Sequence, residues 1–239
     1  GAAPGGGWAT RVGPAGGGQA SGAVVFGHGL GDTPAGWDSS ARHWASKLPW
    51  LRFLLPAAPS LPVTLNGGMT MPAWYDIQGL ADRLQEPAPG IEDSRARWCE
   101  HLEAEASLVG GRDRVVLGGF SQGGAMALYT GLHLEMMPAV AGIVCMSGYL
   151  PNQAAILARQ QAGGLAPALR EVPVLLCHGT HDAMVQLDTA KRTRDALEDL
   201  GLSRVELREY PGMGHEVSLE ELADVAEWLG QALPAPSER

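Results

Sequence analysis

Gly118-Gly119-Phe120-Ser121-Gln122-Gly123-Gly124 is the stretch from which the rest of this chain is read. Residues 114–117 (RVVL) ahead of it are apolar and strand-like, and residues 125–129 (AMALY) behind it favour a helix. Strand, tight turn and helix form the setting in which a Gly-x-Ser-x-Gly pattern carries chemistry, and here the pattern spans residues 119–123. Glycines flank the serine because the turn is strained and neighbouring backbone passes too close for a Cβ. Such a turn lifts the Ser121 hydroxyl clear of the sheet edge, beside a helix N-terminus whose N–H groups favour developing negative charge. Alone, the same residues also fit a glycine-rich turn with an incidental serine. The flanking sequence has to decide.

Working outward, residues 23–26 (AVVF), 52–55 (RFLL), 140–146 (VAGIVCM), 174–177 (VLLC) and 205–208 (VELR) read as further strands. Helices are expected at 37–48, 91–109, 187–200 and 218–229. The second of these places Trp98, Leu102, Ala106 and Val109 at helical spacing; the third aligns Leu187, Ala190, Leu197 and Leu200; the last aligns Leu219, Leu222, Ala226 and Leu229. Continuous Val/Leu/Ile strands separated by helices predict an α/β fold, a mostly parallel sheet covered on both faces. Residues 1–22, rich in Gly and Ala, read as a flexible lead-in, 23–232 as a single domain and 233–239 as a C-terminal tail. Residues 151–172 begin helix-like and end loop-like. Residues 61–80 break the pattern: prolines and the pair Gly67-Gly68 forbid a long element, yet Leu61, Val63, Leu65, Met69, Met71, Trp74 and Ile77 are apolar. A loop this hydrophobic either packs on the core or lines a site.

A serine hydroxyl needs a base to act as a nucleophile, and the base needs an orienting acid. In doubly wound hydrolases the chain order is Ser, then Asp or Glu, then His. After Ser121 the sequence offers Asp182, in a segment that begins at the end of a strand, and then His215, in a glycine-rich loop ahead of the last helix. Asp182 alone also fits a turn or helix cap, and His215 alone a cap. All three in the required order favour a catalytic set. His178 and His181 compete for the role of base, but His181 adjoins Asp182 too closely to be oriented by it and His178 ends a strand, so both read as structural. His28, His178, His181 and His215 lack i, i+4 spacing on any helix, so neither a metal nor another cofactor is expected. A tetrahedral intermediate needs two N–H donors. The backbone of Gln122 supplies one, and the Leu30 amide, in His28-Gly29-Leu30-Gly31, is the candidate for the other.

The totals narrow the class. A net charge of −9 argues against a nucleic-acid or anionic-membrane surface. Of three cysteines, Cys145 and Cys177 lie in apolar strand-like runs, which suits buried free thiols in a reducing, cytoplasmic setting. No apolar run approaches the roughly 20 residues that span a bilayer, and no signal-peptide pattern is read.

The segments His28-Gly29-Leu30-Gly31-Asp32, Pro62-Val63-Thr64-Leu65-Asn66, Met71-Pro72-Ala73-Trp74-Tyr75-Asp76, residues 118–124 and His178-Gly179 together resemble the acyl-protein thioesterase/carboxylesterase family, from about Val24 to about Leu229. That resemblance implies an α/β-hydrolase fold without a large cap domain, a Ser121–His215–Asp182 triad and an oxyanion hole from the Leu30 and Gln122 amides. It implies acyl binding by Leu61, Val63, Leu65, Met69, Met71 and Trp74. The implied substrates are S-acylated proteins, small acyl esters and lysophospholipids, with transient contact at a membrane surface. Gln186 stands where the family usually has proline, Gly67-Gly68 replaces bulkier residues, and the segment 153–171 is longer than expected. The last two bear on chain length, so a short-acyl esterase or deacetylase is the alternative. A non-catalytic ligand receptor on the same fold is a third reading, disfavoured because all three triad residues are present.

Overall fold

The computed structural model of the protein describes residues 9–14, 18–79, 82–134, 139–163 and 166–236. Its strands are β1 (Ala9–Val12), β2 (Gly22–Gly27), β3 (Leu51–Pro56), β4 (Ser60–Val63), β5 (Met69–Pro72), β6 (Val115–Phe120), β7 (Gly142–Met146), β8 (Val174–Gly179) and β9 (Val205–Tyr210). Its helices are α1 (Pro34–Lys47), α2 (Ile91–Val109), α3 (Gln122–Leu132), α4 (Gln153–Gly163), α5 (Leu187–Asp199) and α6 (Leu219–Ala232). Seven strands form one sheet in the order β1-β3-β2-β6-β7-β8-β9, parallel throughout except for β1. This is the α/β-hydrolase architecture.

The apolar runs are continuous because successive side chains enter different cores. Ala23 and Val25 pack with Trp98 and Leu102 of α2 and Ala125 and Leu128 of α3. Val24 and Phe26 pack on the other face with Trp37 and Trp44 of α1 and Trp228 and Leu229 of α6. Helices therefore cover both faces, as a buried parallel sheet requires. The chain runs from β2 through α1 to β3 on one side, then crosses to β6 on the other side of β2. The carboxyl ends of β2 and β6 thus flank the point where the winding reverses, the usual place for a ligand site in an open α/β sheet.

Three local readings are corrected. Within the expected lead-in, residues 9–12 form β1, antiparallel to β3 from Ala9↔Pro56 to Val12↔Phe53. The partner edge fixes that strand, and so local composition does not reveal it. Within residues 61–80, β4 and β5 form a small antiparallel hairpin, with Gly67 and Gly68 at φ 65° and 79° supplying its turn. In α6, Leu219 is 83% exposed while Glu221 is fully buried. Ser218 caps the helix, its Oγ accepting the Glu221 N–H, and the first turn presents Leu219 to solvent and Glu221 to the interior. Among the described residues no domain covers the strand ends and no helix is long and apolar enough to cross a membrane.

Candidate active site

Ser121 stands between β6 and α3 at φ 53°, ψ −119°, a conformation that costs a non-glycine residue on the order of 1–3 kcal/mol. Buried hydrogen bonds hold it there: its N–H donates to Met146 O at 2.8 Å and its carbonyl accepts the Ala125 N–H at 3.0 Å. A Cβ on Gly119 would overlap the Gly123 backbone, and one on Gly123 would overlap the Gly27 carbonyl. These glycines serve the close approach of α3 to β2 and β6.

Asp182 and His215 lie on neighbouring loops after β8 and β9. The loops are joined by the Thr180 N–H to Tyr210 O (3.0 Å) and the His181 N–H to Met213 O (2.9 Å). Asp182 Oδ1 accepts the N–H groups of Met184 (2.9 Å) and Val185 (2.8 Å), and Oδ2 lies 2.7 Å from His215 Nδ1. Burial pushes the Asp182 carboxyl up, but the bonds from His215 and Val185 outweigh it and hold it below its ordinary value. A carboxylate only accepts, so His215 Nδ1 carries the proton. Its Nε2 is then free to accept the Ser121 hydroxyl at 3.0 Å.

The other histidines are bonded elsewhere. His178 Nε2–H donates to Val185 O at 2.7 Å, with Asp182 Oδ2 at 3.5 Å, and burial lowers its pKa. His181 is exposed, its Nδ1 against the Thr180 hydroxyl at 3.0 Å. His28 Nε2 accepts the Ala58 N–H (3.1 Å), so its Nδ1–H donates to Gly29 O (2.8 Å) and burial favours its neutral form.

Both candidate oxyanion donors border the serine. Gln122 opens α3, where an N–H has no helical carbonyl before it. Leu30 lines the same cavity as Ser121, on a loop fixed by the Gly31 N–H to Pro72 O at 2.8 Å. The Gln122 side chain has a further role that its place in the motif does not announce. Its Oε1 accepts the Trp74 N–H (2.9 Å) and its Nε2 donates to Tyr75 O (2.7 Å), tying the segment after the hairpin to the first turn of α3.

The cavity at Ser121 and His215 measures about 260 Å³. Of the six expected acyl-binding residues, only Leu65 is in its wall. Val63 and Trp74 are buried beneath, and the Trp74 indole N–H donates to His28 O at 2.8 Å, bracing the candidate oxyanion loop. Met69 is 64% exposed, and Leu61 and Met71 are half-buried outside the wall. Ile77, Arg83, Phe120, Met184 and Val185 line it instead, with Gly29, Asp32 and Asn66. Ile77 carried an apolar signal in the sequence and Phe120 ends β6 beside the nucleophile, whereas Arg83, Met184 and Val185 come from loops.

A sequence model of the phospholipase/carboxylesterase family matches residues 14–233. Acyl-protein thioesterase 1 of Neurospora crassa is 39% identical over 226 residues, covering 90% of this chain and 89% of the relative. That of Yarrowia lipolytica is 37% identical over 210 residues, covering 86% and 89%. Among solved structures, Zea mays acyl-protein thioesterase 2 superposes with a TM-score of 0.75 at 32% identity, covering 95% of this chain and 99% of its own. Arabidopsis thaliana SOBER1 superposes with a TM-score of 0.78 at 26% identity, covering 89% and 99%.

Proposed function

The chain belongs to the phospholipase/carboxylesterase family and is a hydrolase of thioesters and esters, and we propose that it works through an acyl-enzyme on Ser121. The observation that supports this most is a single imidazole bonded at both ends, to Asp182 Oδ2 through Nδ1 and to Ser121 Oγ through Nε2. As Oγ attacks the acyl carbon, its proton passes to His215 Nε2, and Asp182 stabilises the imidazolium. The Leu30 and Gln122 amides receive the oxyanion. Collapse breaks the bond to sulfur or oxygen, and the proton on Nε2 goes to the departing thiolate or alkoxide. Water then repeats the sequence on the acyl-serine, releasing the acid and restoring the serine. The names of its relatives and the apolar stretch of the wall favour S-acylated proteins as substrates, beside small acyl esters. Exposed Met69 and Met184 near the cavity favour transient membrane contact, and buried free Cys145 and Cys177 favour a cytoplasmic setting. We read residues 23–232, together with the edge strand β1, as one domain. Labelling with a fluorophosphonate probe tests the mechanism: wild type should label at Ser121, and Ser121→Ala should lose both label and about 10⁵-fold or more in turnover. Labelling at another residue, or substantial turnover by pure Ser121→Ala, would overturn it.

A further inference from the structure

One wall of the cavity carries a cation with little to hold. Arg83 lines the same space as Ser121, and its guanidinium stands 5.4 Å from the centroid of the Tyr149 ring. Its terminal nitrogens donate only at 3.4 Å, to the Tyr149 hydroxyl and Met184 O, and its buried Nε has no hydrogen-bond partner among the described residues. The acids nearest in sequence are engaged: Asp82 takes two 3.0 Å bonds from Arg192, and Glu86 accepts the Gly79 N–H at 3.1 Å. The terminal nitrogens, held only by these long bonds, are the ones a ligand can reach, and a guanidinium is shaped to hold a carboxylate through two parallel bonds.

Position decides what such a ligand would be. The other charge on the cavity wall, Asp32, also borders a depression with Trp37, Ser40, His215 and Glu216. Arg83 instead borders a crevice with Tyr75, Tyr149, Pro151, Glu86 and Asp76, whose carboxylate accepts the Thr64 N–H and hydroxyl at 2.7 Å each. Asp32 and His215 thus share a second depression that Arg83 does not line. Leu65, Ile77 and Met184 supply apolar wall to the same cavity. We propose that the site accepts acyl groups ending in a carboxylate, ω-carboxyacyl thioesters and esters of medium length, with Arg83 binding the distal carboxylate. The methylenes between would be covered by the apolar wall. The bond broken is the same acyl bond, one water is consumed, and the acid released is a dicarboxylate. The inference rests on Ser121 being the nucleophile.

The test compares p-nitrophenyl monoesters of the diacids from adipate to sebacate with fatty acyl esters of equal length. The readout is the ratio of the two kcat/KM values within each protein, so damage common to both substrates cancels. At the matching length the ratio should fall by about tenfold or more in Arg83→Met, and Arg83→Lys should retain part of it. Equal ratios in wild type and Arg83→Met at every length would overturn the inference while leaving the acyl-enzyme reading intact. If wild type cleaved neither series, the reading of Ser121 would fail and take this inference with it. Should Arg83→Met not fold, inhibition of wild-type p-nitrophenyl butyrate turnover by free diacids gives a second readout. At the matching length the diacid should inhibit at least severalfold more tightly than the fatty acid; equal or weaker inhibition at every length would overturn the inference.

Discussion

On one side of the cavity, Ser121 sits where the buried ends of β2, β6 and β7 meet; on the other, Leu65 rides on a two-stranded hairpin. The first side is backbone held by backbone. Glycines permit contacts that any side chain would block, and parallel neighbours fix Ser121 and the loops of Asp182 and His215. The second side is joined to the body largely through side chains and short loop bonds. Gln122 grips Trp74 and Tyr75, Asp76 holds the Thr64 N–H and hydroxyl at 2.7 Å each, and the Leu65 N–H donates to Ile77 O at 2.8 Å. The division has a chemical consequence. The geometry of bond breaking is set by elements that cannot shift without disturbing the core, whereas the fit of the acyl chain is set by elements that can change residue by residue. Substitutions on the first side should lower turnover of every substrate alike; those on the second should change how turnover depends on the acyl group.

Asp182→Asn is the strongest discriminating variant. An amide at this position would favour the wrong tautomer of His215, and kcat should fall on the order of 10⁴-fold. The loss should be the same from acetyl to octanoyl esters, because the imidazole serves each. A loss that varied steeply with chain length would break the division between the two sides. So would a small loss accompanied by a large one from another acid.

The hairpin side should behave in the opposite way. A buried methylene contributes about 0.8 kcal/mol, roughly fourfold in rate when the contact persists in the transition state. With Leu65, Ile77 and Met184 in an open cavity of about 260 Å³, kcat/KM should rise from acetyl to octanoyl by about a hundredfold, short of the full product. Leu65→Asp should flatten that rise much more than it lowers acetyl turnover. A wild-type profile that peaks at acetyl and falls by butyryl would mean that the wall closes the space, and a short-acyl esterase would then be the better description.

What could be read in advance follows the same division. The strand–turn–helix around Ser121 and the helix over Ile91–Val109 were legible because local pattern and tertiary role coincide there. The order Ser, Asp, His at strand ends was legible for the same reason, and those three side chains do lie within hydrogen-bonding distance. The cavity wall was not. Apolar content singled out residues 61–80, but it could not distinguish Leu65, which faces the cavity, from Val63 and Trp74, which support the floor. Nor could it place Arg83, Met184 and Val185, whose roles depend on loops brought together from distant segments. The strand β1 was hidden likewise, since a pairing edge on β3 stabilises four residues that have no strong strand pattern of their own.

The smallest expected effect on rate concerns α6, which closes the sheet behind the backbone-held side. Glu221 is fully buried, and neither carboxylate oxygen has a hydrogen-bond partner among the described residues. Burial pushes its carboxyl from 4.5 up to about 8, with the charge of Asp224 acting in the same direction. The folded protein therefore keeps this proton at neutral pH, whereas the unfolded chain gives it up. The resulting stability is fully present below the unfolded value of 4.5 and is lost as pH rises through about 8, on the order of a few kcal/mol in all. Glu221→Gln carries no such titration. Its melting temperature should diverge upward from that of wild type as pH rises through this window and stay several degrees above it at more alkaline pH. Acetyl ester turnover near neutrality should be unchanged, since Glu221 touches neither the triad nor the cavity wall. Parallel melting curves for the two proteins across the same pH range would show that Glu221 has a partner in solution. A loss of turnover at constant stability would show that the core behind the nucleophile transmits strain to it, and the division between the two sides would have to be redrawn to include α6.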